Sequence, residues 1–509
     1  MGCAERCTDE DPQMSGPSMG LGALTDVIAP ERVIGLPVGE VRGLAYDSRT
    51  VTSGTLFFAV PGAHVDGHDF AAAALAAGAI GVVVERELDG IAAPQLVVDR
   101  ARRALADAAD AWFGRPSERL EVIGITGTDG KTTTSFLAVE LLRAGGRRPG
   151  LIGTVAVDIG DERTPNEDRN TTPESPELQG LLARMVEAGN DSVVMEATSH
   201  GLALERTRNC RFDVGAVTSV TSEHLDFHGS LEAYRAAKAR LVEEAPLAIL
   251  NADDQAYPFF RERARNRVLS YGIDADADLR ATELVADAGG SRFRLVTPEW
   301  SGQVSTPMPG RFNVSNALAA LAIAHVEGVA WPVAVEALAR TAGVPGRMER
   351  IDAGQPFAVV VDYAHTADSL GKVLRMLRPV TRGRLIAVFG SAGERDATKR
   401  PAMGRVGAEL ADLTVVTDED PRLEDRRAIN EAIADGARAA GAVDGESLLV
   451  IDDRREAISR AIGMAREGDV VLLAGKGHET SIFYGHEKRP WDDREAAREA
   501  LAARSKRTG

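Results

Sequence analysis

The stretch Gly124-Ile125-Thr126-Gly127-Thr128-Asp129-Gly130-Lys131-Thr132-Thr133-Thr134 decides the fold of the middle of this chain. The apolar run Leu120 to Ile125 precedes it. A helical pattern follows, with Phe136, Leu137, Val139, Leu141 and Leu142 on the apolar side. Strand, glycine-rich turn, Lys-Thr and helix form a cradle for a nucleotide's phosphates. Backbone N–H groups of the turn and the helix N-terminus face the anion. Lys131 adds a point charge on the outer phosphates, and the Thr132 hydroxyl can reach Mg²⁺. The common pattern places its first glycine five positions before the Gly-Lys pair. Here that position is Ile125, with glycines at 124 and 127 instead, so the loop is a variant.

Working outward, the 509 residues are too many for one core, and two to four domains are expected. A net charge of -17 argues against broad binding to nucleic acid or anionic lipid, though a local basic cluster can still hold phosphate. The three cysteines, Cys3, Cys7 and Cys210, make no disulfide framework, which fits a reducing cytoplasm. No apolar run approaches the roughly 20 residues that span a bilayer. Residues 1–20 are polar and irregular and read as a disordered extension without the apolar core of a signal peptide.

Residues 21–118 read as a small α/β unit, with strands at Thr55–Val60 and Ile80–Val84 and an Ala-rich helix near 70–78. After the phosphate loop come buried-strand runs at Ser192–Glu196, Phe212–Val217 and Leu247–Leu250. A break near Thr341–Gly346 separates them from a second series at Phe357–Val361, Leu385–Phe389, Leu413–Thr417, Leu448–Ile451 and Val470–Leu473. Strands alternating with helices predict largely parallel sheets, with ligands beyond the strands' carboxyl ends. The predicted divisions are 21–118, 119–344 and 345–509.

Polar clusters fall at those ends. Glu196 closes its strand, where a carboxylate suits Mg²⁺ or caps the next helix. His224 lies in Ser222-Glu-His224-Leu-Asp226-Phe-His228-Gly229, which reads equally as metal ligands or as a hydrogen-bonded loop; zinc is disfavoured because no cysteine accompanies it. Lys238, in the strong helix former Leu231 to Leu241, reads on its own as a solvated lysine.

Taken in order, these motifs resemble the Mur ligases, the ATP-dependent amide-forming enzymes of peptidoglycan precursor synthesis. The loop, Asn170-Thr171-Thr172-Pro173, Met195-Glu196-Ala-Thr198-Ser-His200-Gly, His224-Leu-Asp-Phe-His-Gly and Tyr234 to Lys238 carry the likeness. It continues through Asn251-Ala-Asp-Asp, Gly310-Arg-Phe-Asn313-Val-Ser-Asn316, Gly346-Arg347-Met-Glu349, Asp362-Tyr-Ala-His365 and Gly393-Glu-Arg395-Asp. It ends with Glu419-Asp420-Pro421-Arg422 and Gly475-Lys-Gly-His-Glu479, and covers about residues 40 to 502. The branch most similar adds the third peptide residue to UDP-N-acetylmuramoyl-L-Ala-D-Glu.

The resemblance implies an α/β, three-domain architecture: a small uridine-nucleotide-binding domain, a central P-loop ATPase-like parallel sheet and a Rossmann-like carboxy-terminal domain. It implies ATP on Gly127, Thr128, Asp129, Gly130, Lys131, Thr132 and Thr133, with Asn313, Arg347, Asp362 and His365 lining the nucleotide. The muramoyl dipeptide falls to Ser48, Asn170, Thr171, Thr172, Thr198 and Arg206. Two Mg²⁺ sites are implied, drawing on Thr132, Glu196, His224 and a carbamylated Lys238, with Lys131, Lys238, His224 and Glu196 as the catalytic set. The acceptor amino acid falls to Arg395, Glu419, Asp420, Pro421, Arg422, Gly475 and Glu479. A cytoplasmic monomer is expected, with no nucleic-acid or membrane partner.

The acceptor loop departs from the family's Asp-Asn-Pro-Arg. Arg422 can pair two-pronged with a distal carboxylate, which meso-diaminopimelate has and lysine lacks. Glu479 suits the distal ammonium. Asp420 stands where an uncharged amide is usual, and its charge is expected to favour lysine or ornithine. Diaminopimelate remains the favoured acceptor because Arg422 is present.

Overall fold

A computed structural model describes residues 18–62, 65–166, 170–287, 289–341 and 343–508. Chain contacts divide it into two units, residues 1–131 with 146–269, and residues 132–145 with 270–509.

The first unit holds two main sheets beside a two-stranded pairing near its start. The smaller runs in the order Arg32–Ile34, Gln95–Val97, Gly81–Val84, Thr55–Phe58, Gly43–Ala45, parallel except for its first pair. Leu21–Ile28 and Ala101–Trp112 bury their apolar stripes, including Leu24, Leu105 and Trp112, with Leu56, Phe58 and Leu96 in one core. The short Ala71–Ala76 helix belongs to a separate core with Phe57, Val82 and Val84. The extension expected over 1–20 lies outside the described residues up to position 17. Met19–Gly20, however, pairs antiparallel with Glu40–Val41.

The larger sheet of this unit places Glu121–Thr126 between Ser192–Glu196 and Val214–Val217. Pro149–Ile152 and Leu247–Asn251 lie outside these, and all these pairings are parallel. The sheet is largely parallel, as expected, and Ala156–Ile159 and Glu162–Pro165 extend one edge antiparallel. Gly124 and Gly215 leave the surface of this sheet nearly bare. A Cβ on Gly124 would stand 2.6 Å from Leu241 Cδ1, and one on Gly215 3.0 Å from the Leu241 carbonyl. The Leu231–Glu244 helix can therefore lie close on the strands.

In the second unit, Leu279–Asp287, Gly290–Val296 and Ser301–Thr306 form an antiparallel meander beside the helices Arg311–Val326 and Trp331–Arg340. A six-stranded sheet follows in the order Glu349–Ile351, Ala358–Asp362, Val470–Ala474, Leu385–Phe389, Leu413–Val416, Leu448–Val450. Only its first pair is antiparallel. Both faces are covered. Leu370, Met403 and Ile433 pack on one side, and Ile458, Ile462 and Leu501 on the other. Val470–Ala474, the last of these strands in sequence, sits between Ala358–Asp362 and Leu385–Phe389, so the strand order reverses there. A ligand crevice is expected outside the carboxyl ends at such a point. Among the described residues no helix is long and apolar enough to cross a membrane.

Candidate active site

The phosphate loop bridges the strand Glu121–Thr126 and the helix Lys131–Ala144. Gly127 (φ +156°) and Gly130 (φ +90°) take conformations that side chains oppose. A Cβ on Gly127 would also collide with Thr218 Oγ1 at 2.0 Å. The loop is fastened from behind: Thr128 N–H donates to the Ser219 carbonyl at 2.5 Å, and Thr218 Oγ1 to the Asp129 carbonyl at 2.6 Å. Lys131 Nζ donates to the carbonyls of Gly127 and Thr128, both at 2.9 Å. Thr132 and Thr133 are buried at the helix start.

Lys238 is not solvated. It is 2% exposed, and its Nζ donates to the same Gly127 carbonyl at 2.7 Å. The close seating of its helix on Gly124 and Gly215 explains the change from the single-residue expectation. Burial, with Lys131 as a second cause, holds the Lys238 amine well below the usual lysine range. Both causes disfavour the cation and favour the nucleophilic amine form.

Glu196 is fully buried at its strand end. It does not cap the next helix, because Thr198 does so by accepting from Gly201 N–H at 3.0 Å. Its carboxylate instead accepts from Thr154 N–H at 2.9 Å and Thr154 Oγ1 at 3.0 Å. Thr154 in turn meets Thr171 Oγ1 at 3.0 Å. Nothing in the sequence pattern marks Thr154.

Thr172 is buried. Its hydroxyl donates to the Glu196 carbonyl at 2.9 Å and lies 3.0 Å from Thr198 Oγ1. Arg206 donates to the Thr172 carbonyl at 3.0 Å and pairs with Glu174 at 2.9 Å, and Glu174 also meets Arg102 at 2.5 Å. The structure thus joins Thr171, Thr172, Thr198, Arg206 and Glu196 in one polar network. Asn170 is half-buried just before it. Ser48 starts a short 3₁₀ turn capped by Asp47 in the small sheet's domain.

His224 has a left-handed backbone (φ +53°) and a half-exposed ring. It belongs to an aromatic run: His200–His224 at 4.7 Å, His200–Phe227 at 4.2 Å and Phe227–His228 at 4.7 Å between ring centres. Burial, then the nearby His224, pushes His200 down to about 4. Among the described residues no three His, Cys, Asp or Glu side chains group as a metal cage.

In the second unit, the Asp362 carboxylate closes its strand and accepts from the Met348 and Ala364 N–H groups at 2.8 and 2.9 Å. Burial raises it, and Arg347 opposes that shift. Arg347 lies over the Tyr363 ring at 4.8 Å, and His365 Nδ1 is 3.0 Å from the Tyr363 carbonyl. Asn313 is tied to the Pro309 carbonyl at 2.9 Å near the start of its own helix.

The loop 419–422 holds a partner for Asp420 that its sequence does not show. Asp420 is buried, and its Oδ1 accepts from Lys476 Nζ at 2.9 Å and Phe483 N–H at 3.0 Å. Lys476 is 1% exposed and also meets Glu479 at 2.5 Å. The charge expected to repel a distal carboxylate is paired with a lysine 56 residues away, an ammonium that it shares with Glu479. Glu419 is buried, with Oε2 lacking a partner, and burial raises its carboxyl to about 6. Arg422 (φ +54°) pairs its backbone with Phe483 and Gly485, which docks the Ser481–Tyr484 and Glu487–Pro490 hairpin on the loop. Gly475 borders Glu419, since a Cβ there would meet its Oε2 at 3.4 Å. Arg395 is exposed and stands apart from these contacts.

Three segments match Mur ligase domains. Residues 40–113 match the catalytic domain of the Mur ligase family, 125–324 the Mur ligase middle domain, and 346–477 the glutamate ligase domain. A UDP-N-acetylmuramyl-tripeptide synthetase of Roseiflexus sp. (strain RS-1) is 49% identical, over 91% of this chain and 95% of that protein. The chain belongs to the Mur ligase family. A second Mur ligase, the UDP-N-acetylmuramoyl-L-alanyl-D-glutamate--2,6-diaminopimelate ligase of Bacillus velezensis, is 42% identical over 92% of this chain and 96% of its own. A solved structure of a ligase with that same name is 32% identical with a TM-score of 0.70, covering 96% of this chain and all of the other. The folylpolyglutamate synthase of Mycobacterium tuberculosis, 19% identical with a TM-score of 0.56, shares the fold alone. The Mur ligase assignment makes the chain a ligase of the α/β class.

Proposed function

We propose that this ligase couples ATP cleavage to the addition of meso-diaminopimelate to UDP-N-acetylmuramoyl-L-Ala-D-Glu in peptidoglycan precursor synthesis. The observation that supports the reading is 49% identity over 91% of the chain to a UDP-N-acetylmuramyl-tripeptide synthetase and 42% over 92% to a 2,6-diaminopimelate ligase, on a chain that has Lys131, Glu196, His224 and a buried Lys238. The matched segments fall inside domains proposed at 21–118, 119–344 and 345–509.

A carboxylate is a poor electrophile, so the D-Glu side chain must be activated. The γ-phosphoryl group passes to it, the acceptor amine attacks the acyl phosphate, and phosphate leaves. Lys131 offsets charge on the phosphoryl oxygens. Magnesium, when bound, supplies the charge that lets carboxylate and triphosphate approach. Thr132 and Glu196 would hold one ion, and His224 with Lys238 the second. The buried Lys238 amine, whose cation is disfavoured by burial, suits addition to CO₂, giving a carbamate and a released proton. That carbamate is the anion the second ion requires. Asn313, Arg347, Asp362 and His365 are proposed to line the nucleotide. Thr171, Thr172, Thr198 and Arg206, with Ser48 and Asn170, are proposed for the muramoyl dipeptide.

The pairing of Asp420 with Lys476 weakens the objection to a distal carboxylate, so Arg422 is proposed to bind it and Glu479 the distal ammonium, with Glu419 beside them in the acceptor set. Phosphate release tests this with the muramoyl dipeptide and, separately, diaminopimelate, L-lysine and L-ornithine. Preference for diaminopimelate is expected. Preference for either alternative would reassign Arg422, and no turnover with any acceptor would remove the reading.

A further inference from the structure

One buried side chain touches both the phosphate loop and Lys238 without having a role assigned above. Tyr234 is fully buried, one helical turn before Lys238 on the same face of its helix. Its hydroxyl lies 2.8 Å from Thr128 Oγ1 in the phosphate loop. That threonine oxygen also accepts from Thr221 N–H at 3.0 Å, on the segment leading to His224. The ring carries Lys238 Nζ over its face at 4.7 Å from the centre. Its edge meets His228 at 5.3 Å, at the end of the aromatic run that includes His224. A phenol is suited to this place: it has only two torsions, fills its site, and still carries a hydrogen-bonding tip.

We propose that Tyr234 is a positioning residue that sets the spacing between the phosphate loop and Lys238, its hydroxyl holding Thr128 and its ring serving as the shelf on which the Lys238 amine rests. The assignment rests on the reading of Lys131 and Lys238 given under Proposed function. It separates two tasks within one side chain. The hydroxyl governs how well the loop is shaped for phosphate. The ring governs whether Lys238 is held where its amine can react.

The first test is a double-mutant cycle on the full chain, read by calorimetric binding of MgADP. Tyr234→Phe should weaken binding by about 2- to 12-fold, the worth of one neutral hydrogen bond, and Thr128→Val by at least as much, since it also removes the acceptor of Thr221 N–H. The double variant should bind no worse than Thr128→Val alone, because that change already removes the contact that Tyr234→Phe removes. Effects that multiply would overturn the hydroxyl's role. The second test follows the Lys238 carbamate by ¹³C NMR in ¹³C-bicarbonate. Tyr234→Phe should keep the signal of the parent protein and Tyr234→Leu should lose it. A signal retained in Tyr234→Leu would overturn the shelf. If Tyr234→Leu does not fold, Tyr234→Phe and the cycle still decide the hydroxyl. A parent protein that binds MgADP but makes no product with any acceptor would refute the proposed reaction and leave the cycle readable.

Discussion

Replacing Lys476 by Met should be among the most damaging single changes in the acceptor region, and replacing Asp420 by Asn among the mildest. Lys476 is 1% exposed and holds Asp420 at 2.9 Å and Glu479 at 2.5 Å. Without the ammonium, the Asp420 carboxylate keeps only the Phe483 N–H at 3.0 Å. Leaving one partner of a buried pair uncompensated costs about 3–5 kcal/mol. Asn at 420 retains a carbonyl oxygen for both donors, and Lys476 retains Glu479. The loss is then the charge assistance of one contact, about 1 kcal/mol. The double change Lys476→Met with Asp420→Asn should be more stable than Lys476→Met alone, since the orphaned charge is gone. Relative urea midpoints of the four proteins measure the ordering. Selectivity gives the second reading. A bare carboxylate about 6 Å from a diaminopimelate carboxylate, at an effective dielectric near 20, would oppose it by about 3 kcal/mol, or roughly 100-fold in kcat/KM. Because Lys476 already compensates Asp420, Asp420→Asn should move the diaminopimelate-to-lysine ratio by less than about threefold. A shift approaching 100-fold, or a double variant no more stable than Lys476→Met, would refute the reasoning.

Other expectations follow from the same geometry. Glu419→Gln should stabilise the protein at pH 8 and have no such effect below pH 4.5. Burial raises the Glu419 carboxyl from 4.5 to about 6, so its penalty develops as pH rises through that window and reaches about 2 kcal/mol above it. A stability difference that is flat from pH 4 to 8 would contradict this. Arg454→Met should lower stability by about 3–5 kcal/mol, because it strips a fully buried Asp493 of its opposite charge and leaves its carboxylate the Trp491 indole N–H. It also frees the Asp418 and Ala474 carbonyls at the ends of two strands. Arg454→Lys should rescue little, since one ammonium cannot reproduce the planar fork. Lys238→Ala should reduce turnover by at least about a hundredfold and be partly restored by an added short carboxylate. Undiminished activity would remove the carbamate reading.

How legible the molecule is in its sequence depends on how local each cause is. The phosphate loop could be read because strand, glycines, lysine and helix are contiguous, and the glycine conformations at 127 and 130 follow from those same few residues. The Rossmann-like strands were legible because strands covered on both faces are continuous apolar runs. The meander over 279–306 lacks such runs. Its first strand is half-exposed and bulges between Thr282 and Val285, so no clear period marks it. The site divides the same way. Glu196 sits at the end of an apolar run and can be placed from it. Lys238 cannot, because its burial depends on Gly124 and Gly215, which lie on other elements and act only once the helix has settled on the sheet. Asp420 shows the limit most plainly. Its residue type suggested a repelling charge, and the type was read correctly. Its sign in the site, however, belongs to a pair whose other half, Lys476, lies in a motif on a different strand end. A substitution at such a position is therefore informative about the acceptor only after its partner is known.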